Sequence, residues 1–357
     1  MVPTNPIITL RPSILVSGSD QGVSATVLSL TVEEAISGPA QCELTLNNWS
    51  SGKSPGYLYS DRAILDFGKD IDVRFADVSI FKGRINAIEA IFSEGVAPRL
   101  LISAVDRMQE LGTNPTTRFF SDVSLINVFS LIANEHGLTP EFDFNGPHFP
   151  ILTQLNENDL AFITRLSEQY NLSVRIFDQT LKVCPRKGTG VAINLTPGRN
   201  LRSYRVRADL AEQHTSLTVS GWDVRAKESI RQETTDALIQ TELNGGDGSA
   251  SLLRNAFNEN KEHLFFEQID DEQALTLSQA AFIQRARRFV TGSGLTEGNP
   301  KLRAGCIVKI KGLGEMFNGR YALSHVCHRF DLSAGYTTDI ETFRADIGRG
   351  DRASRRG

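Results

Sequence analysis

The 357-residue chain is 40% hydrophobic and 22% charged, ordinary globular usage that excludes wholesale disorder. Its length suits two or three domains of about 150 residues each, large enough to fold without disulfides or metal. Its 38 basic and 42 acidic residues leave a net charge of −4, which argues against a bulk electrostatic grip on nucleic acid.

The opening MVPTNPIITLRPSIL has neither a basic n-region nor a long apolar core, so no secretory signal is read, and no apolar run is long enough to span a membrane. Alternation follows. In QCELTLN, Cys42, Leu44 and Leu46 share one face, and in DIDVRF Ile71, Val73 and Phe75 do the same. Segments 80–92 and 99–105 also read as extended, with a turn at Glu94-Gly95 and Pro98. Residues 1–110 are therefore expected to form a β-module. Helical spacing begins after the caps Ser121 and Asp122 with Leu125, Val128, Phe129 and Ile132, and Gly137 stops it. A second helix opens at Asn156 or Asn158 and carries Phe162, Ile163, Leu166 and Tyr170. A hairpin turning at Asp178-Gln179 completes a small mixed region over 111–194.

Alternation resumes over 201–222 and ends in Ser220-Gly221-Trp222. The polar stretch 225–272, centred on Gly245-Gly246-Asp247-Gly248-Ser249, reads as an insertion or mobile loop. A helix over 271–290 with Leu275, Phe282, Ala286 and Phe289 on one face precedes strands over 305–345. The second β-module is thus expected over 195–345, interrupted by 225–272 and the helix, with a disordered basic tail at 346–357.

An internal repeat organises this layout. Phe81-Lys82-Gly83-Arg84 recurs as Phe317-Asn318-Gly319-Arg320, each preceded by a glycine (Gly68, Gly305) and an alternating strand. Each copy is followed by two extended runs around Gly95 or Gly335. Three copies of a chain with two such modules can close a six-module ring through one heterologous contact.

Four blocks carry a family resemblance. FKGRINAIEAIFSEG (Phe81, Gly83, Arg84), the Q-x-N-x-x-D-x-x-F-x-x-R-L block (Gln154, Asn156, Asp159, Phe162, Arg165, Leu166) and GWD-x-x-x-K (Gly221, Trp222, Asp223, Lys227) occur in order. A closing block follows with Gly298, Asn299, Pro300, Leu302, Gly305, Phe317, Gly319, Tyr321, His328, Phe330, Gly335, Tyr336 and Thr337. Over residues 10–345 the chain resembles the phage late control protein D and VgrG/Pvc-type hubs of contractile tails, injection particles and type VI needles. The resemblance implies a mainly β fold with an α+β insert, two tail-tube-like β-barrel modules and a small mixed α/β middle region. It further implies a homotrimeric baseplate hub, assembled in the bacterial cytoplasm, that joins a six-fold inner tube or tube-initiator to a trimeric spike beside other baseplate proteins. Cargo in the ring lumen is a further implied partner; nucleic acid and membrane are not. VgrG-type members continue into an oligosaccharide-binding-like barrel and a β-helical spike, and no such segment precedes Gly357. The expectation is a hub whose spike is a separate polypeptide or has been cut away.

Chemistry-bearing residue types have blander explanations. His325, Cys327 and His328 are expected on a strand, where residues three apart face opposite ways and cannot chelate one ion together. Cys42, Cys184, Cys306 and Cys327 make no C-x-x-C and read as reduced thiols. Asp270, Asp271 and Glu272 suit a helix N-terminus, and Arg285, Arg287 and Arg288 a solvated or interface face. Gly292-Ser293-Gly294 lacks phosphate-loop spacing, and no nucleophile elbow occurs. The sequons at Asn48, Asn171 and Asn194 and the tripeptide Arg349-Gly350-Asp351 read as coincidences of letter. No enzyme activity, cofactor or metal is expected; the alternatives are a hub-associated cell-wall hydrolase and a cargo or effector adaptor.

Overall fold

The computed structural model describes residues 10–51 and 55–349. The first-module expectation at 1–9 and the tail expectation at 350–357, including Gly350 and Asp351, lie outside the described residues.

Strands of the first repeat are β1 Ser13–Val16, β2 Val27–Ala35, β3 Gln41–Asn47, β4 Asp70–Phe75, β5 Val78–Ser93 and β6 Val96–Val105. The middle of the chain adds β7 Thr116–Ser124, helix α1 Leu125–Glu135, β8 His148–Glu157, α2 Asp159–Gln169, β9 Leu172–Phe177 and β10 Thr180–Pro185. Then come β11 Thr189–Leu195, β12 Leu201–Ala208, β13 Ser216–Asp223, β14 Glu228–Thr235, α3 Ser249–Phe257, β15 Lys261–Phe266 and α4 Asp271–Arg287. The chain closes with β16 Val290–Glu297, β17 Cys306–Ile310, β18 Gly319–Asp331 and β19 Gly335–Arg344.

The alternating patterns become a curved, largely antiparallel sheet because each strand has one apolar face to bury. Among the described residues it holds twelve strands, with the path β1-β4-β5-β6-β3-β2-β18-β19-β16-β12, while β17 bridges β11 and β18. The fold is mainly β with a mixed insert, in two related half-barrel modules fused edge to edge. One core lies under the first repeat (Leu30, Val32, Leu44, Val73, Phe75, Ile102) and another under the second (Leu201, Val290, Val308, Ile310, Tyr321, Ile340).

The two repeats match strand for strand: β2, β3, β4, β5 and β6 correspond to β12, β16, β17, β18 and β19, in the same chain order. Their irregularities match too. A bulge between Val27 and Ser29 recurs between Leu201 and Ser203, and one between Ile85 and Ala87 recurs between Leu323 and His325. Gly68 and Gly305, both at positive φ, donate their amides to Ile85 O and Leu323 O, each at 2.8 Å. This register corrects the sequence alignment. Ile71 faces Gly83 and Val308 faces Tyr321, while Val73 faces Phe81 and Ile310 faces Gly319. Gly83 therefore corresponds to Tyr321, two residues beyond Gly319. A shift of two keeps every side chain on its face, so the letters F-x-G-R matched while lying out of register.

The region 225–272 is folded rather than a polar excursion. β14, β13 and β15 form a sheet whose Leu217, Val219 and Ile230, with Ile269 just beyond β15, pack with Ala274, Leu277, Phe282 and Ala286 of α4. That layer shares one core with Phe129, Ile132, Phe162, Leu166 and Val183 of the middle region. It reads as polar because β14 buries only Ile230 and Thr234. The apparent strand run 201–222 is two strands in two different sheets, and the insertion between β12 and β16 belongs to the middle domain. Conversely, β11, read as the end of that domain, pairs with β17 of the main sheet.

Smaller corrections follow from packing. Ser124, not Ser121 or Asp122, caps α1 by accepting from Asn127 N at 3.2 Å, because β7 runs through to 124. Leu275 points outward from α4 and Phe289 is buried under the second repeat instead. Arg287 is buried and paired with Glu242, and Arg285 with Glu262, so neither forms a merely solvated face. Residues 346–349 are not tail: Asp346–Ile347 is buried and pairs with Asp247–Gly248.

Candidate assembly interface

Part of the closing block, Gly298, Asn299, Pro300, Leu302, His328, Phe330 and Tyr336, gathers where the repeats join. β2 pairs with the second half of β18, Ser29 opposite Asp331 through Ala35 opposite His325. This puts Phe330 and Tyr336 of the second repeat into the first repeat's core, with Tyr336 stacked parallel on Phe75 at 3.7 Å between ring centroids. Gly298 lets that ring in, since a Cβ there would lie 2.2 Å from it. A turn from Asn299 to Leu302, with Leu302 N donating to Asn299 O at 3.1 Å and Pro300 setting its second position, delivers Leu302 O to His328.

His328 is fully buried. Its Nε2 lies 3.0 Å from Leu302 O, and its Nδ1 lies 2.9 Å from the Tyr336 hydroxyl and 3.2 Å from Thr338 Oγ1. A carbonyl only accepts, so Nε2 carries the hydrogen and Nδ1 accepts from Tyr336. Burial pushes the imidazole down to about 4, against the pull of Glu34. His328 is a neutral structural hub; His325 faces the other side of the sheet opposite Glu341. Among the described residues no group of three or more His, Cys, Asp or Glu side chains is placed to hold a metal.

Beside this network Glu34 accepts from Arg303 Nε at 2.9 Å and from Ala304 N. Glu34 lies in no motif block, and Arg303 and Ala304 lie inside the closing block without being among its matched residues. The available signal was Glu34 itself, an acid in a core-facing position after Leu30 and Val32.

The other signature residues are placed separately. Phe81 is buried in the first core, Gly83 lets Val105 O approach, and Arg84 bonds Asp70 at 3.1 Å and Glu110 at 2.8 Å. Gln154 and Asp159 do come together: Gln154 is fully buried, accepts from Arg118 Nε and donates to Asp159 Oδ1, each at 2.9 Å. Phe162 stacks on Phe120. Gly221 packs on Phe266 O, Trp222 is half exposed, and Asp223 accepts from Arg225 N and Ala226 N to close a hairpin. Gly305 donates within the second repeat, as described above. Gly319 gives room to Arg344, whose guanidinium lies 4.8 Å over the Tyr321 ring. Tyr321 donates to Phe317 O at 2.6 Å, and Thr337 is buried between Arg329 and Glu297.

Comparison with known families matches residues 7–331 to the family described as the Alg8 N-terminal domain. The chain belongs to that family. Its name differs from the late control protein D and VgrG/Pvc-type families that the motif blocks resemble. Comparison with curated proteins gave no match. Among solved structures, the 43 kDa tail protein of prophage MuSo2 from Shewanella oneidensis is similar with a TM-score of 0.68 at 12% identity, covering 94% of this chain and 99% of that one. A tail protein from Neisseria meningitidis MC58 gives 0.67 at 12% identity, covering 95% and 97%. An E. coli component of the type VI secretion system, described as structurally similar to the T4 tail proteins gp27 and gp5, gives 0.59 at 14% identity, covering 93% and 76%. At these identities the likeness establishes the fold.

Proposed function

We propose that this protein is the structural baseplate hub of a contractile phage tail or injection particle. Three copies form a ring of six similar modules that joins a six-fold inner tube, or its initiator, to a trimeric spike. The observation that carries this reading is the duplication: two modules with matching strand order, bulges and glycine turns lie side by side in one sheet. Three such pairs supply six equivalent positions from a three-fold object, which is what a junction between six-fold and three-fold partners requires. The fold shared with tail and type VI proteins supports the same setting, as does the motif resemblance to late control protein D and VgrG/Pvc-type hubs. The role is structural rather than enzymatic, exercised in a particle assembled in the bacterial cytoplasm, with other baseplate proteins outside the ring and cargo in its lumen.

An electron-microscopy map of the assembled particle tests it. Three copies at the boundary between tube and spike are expected. Six copies, or a position in sheath or fibres, would overturn the reading, as would clearing of a peptidoglycan zymogram abolished by one carboxylate substitution.

A further inference from the structure

The internal junction leaves its mirror halves open. β2 covers residues 325–331 of β18, but the corresponding half of β5, residues 87–93, has no strand on that side among the described residues. Likewise β12, the counterpart of β2, pairs only with β16 among the described residues and ends the sheet there. The exposure follows the same logic. Val326, His328 and Phe330 are 0%, 0% and 2% exposed under β2, whereas of their counterparts on the bare half of β5 Ile88 is half-buried, Ala90 exposed and Phe92 64% exposed. Long edges with apolar side chains are poorly tolerated in isolation, because unpaired backbone groups template further pairing.

We infer that β12 of one copy pairs antiparallel with residues 87–93 of β5 in the next copy, in the register of the internal β2·β18 junction. This deepens the hub reading and rests on it only in requiring that copies meet in a ring. The repeat correspondence fixes the register. Through β3 and β16, Leu30 corresponds to Tyr204 and Glu33 to Arg207; through β6 and β19, Cys327 corresponds to Glu89 and Phe330 to Phe92. Leu30 faces Phe330 and Glu33 faces Cys327 within the chain. Between copies, Tyr204 then faces Phe92, Val206 faces Ala90, and Arg207 faces Glu89.

The chemistry suits that occupant. Tyr204, Val206 and Ala208 are only partly buried on the core-facing side of β12, and they meet the exposed apolar side of β5. On the other face β12 carries Arg205 and Arg207, and the bare half of β5 carries Glu89, so opposite charges meet directly across the strands. The residue pair is also of the closer kind. Ile36 N donates to Ser324 O at 2.8 Å, which makes Glu33·Cys327, and by correspondence Arg207·Glu89, a non-hydrogen-bonded pair with Cβ atoms near enough for a disulfide.

The full-length chain carrying Arg207→Cys and Glu89→Cys is oxidised mildly and run on a non-reducing gel, with light scattering of the same samples. Covalent dimers and closed oligomers are expected at a yield at least ~10-fold above either single variant and above the out-of-register pair Arg207→Cys and Ser93→Cys. In a second arm, Arg207→Glu weakens self-association at least ~10-fold and added Glu89→Arg restores it. Absence of cross-linking, equal yield from the out-of-register pair, or no rescue by the charge swap overturns the pairing. If the pairing fails while a particle map still shows three copies at the tube end, the hub reading stands. If cross-linking succeeds while the chain lies in the sheath, only the hub reading falls.

Discussion

Glu34 and Arg303, 269 residues apart, form an ion pair that ties the first repeat to the turn between β16 and β17 of the second. Glu34 is nearly buried and its second oxygen accepts from the Ala304 amide, so the carboxylate is satisfied only while both partners are present. Removing one member of a buried pair strands a charge, whereas replacing both with apolar groups does not. Arg303→Met should therefore cost about 3–5 kcal/mol in urea unfolding, and Glu34→Leu with Arg303→Met should recover much of that loss.

His328 makes stability fall in acid. Its folded pKa of about 4 lies below the ordinary 6.5, so the unfolded chain binds the proton first as pH drops. The stability is full above about pH 6.5 and is lost between there and about pH 4, by about 3 kcal/mol for this one group. Comparing urea unfolding of wild type and His328→Asn at about pH 7.5 and about pH 4.5 isolates that share. The variant should lose less between the two pH values although it starts less stable; equal losses would count against the assignment.

Gly298 is a contact position, not a hinge. A methyl there would strike the Tyr336 ring and push it off Phe75, so Gly298→Ala should cost roughly 1–3 kcal/mol by thermal or urea unfolding. Gly56→Ala, with open space around the Cβ and no positive φ, should stay within about 0.5 kcal/mol.

Gln154 bridges β8, β7 and α2 through bonds to Arg118, Asp159 and Glu157 O. Gln154→Leu keeps the volume but removes the acceptor of Arg118 Nε and the donor to Glu157 O, both part-buried. A loss of about 1–3 kcal/mol is expected, with Phe162→Ala costing about 3–5 kcal/mol in the same core.

Local periodicity in the sequence determined β3 to β6, β12 and the strands after residue 305, helices α1, α2 and α4, and the existence of a duplication, because side-chain alternation is set by neighbours a few residues away, whereas β1, β2 and β16 were not read. Gln154 and Asp159 were legible as a unit only through the motif block they share, five residues apart. What only the tertiary structure decided depends on contacts between distant segments. The register of the repeat came from Gly68, Gly305 and two pairs of bulges, since a shift of two residues leaves the alternation unchanged. The middle domain's claim on 209–289 came from Ile230 and α4 meeting Phe162 and its neighbours, invisible in a stretch with few apolar residues. The site itself, His328 held between Leu302 and Tyr336 beside Glu34 and Arg303, exists only because β2 lies against β18. Leu302, His328 and Tyr336 stood in the closing block and Glu34 as an acid after Leu30 and Val32, but only the junction's burial gives each its partner.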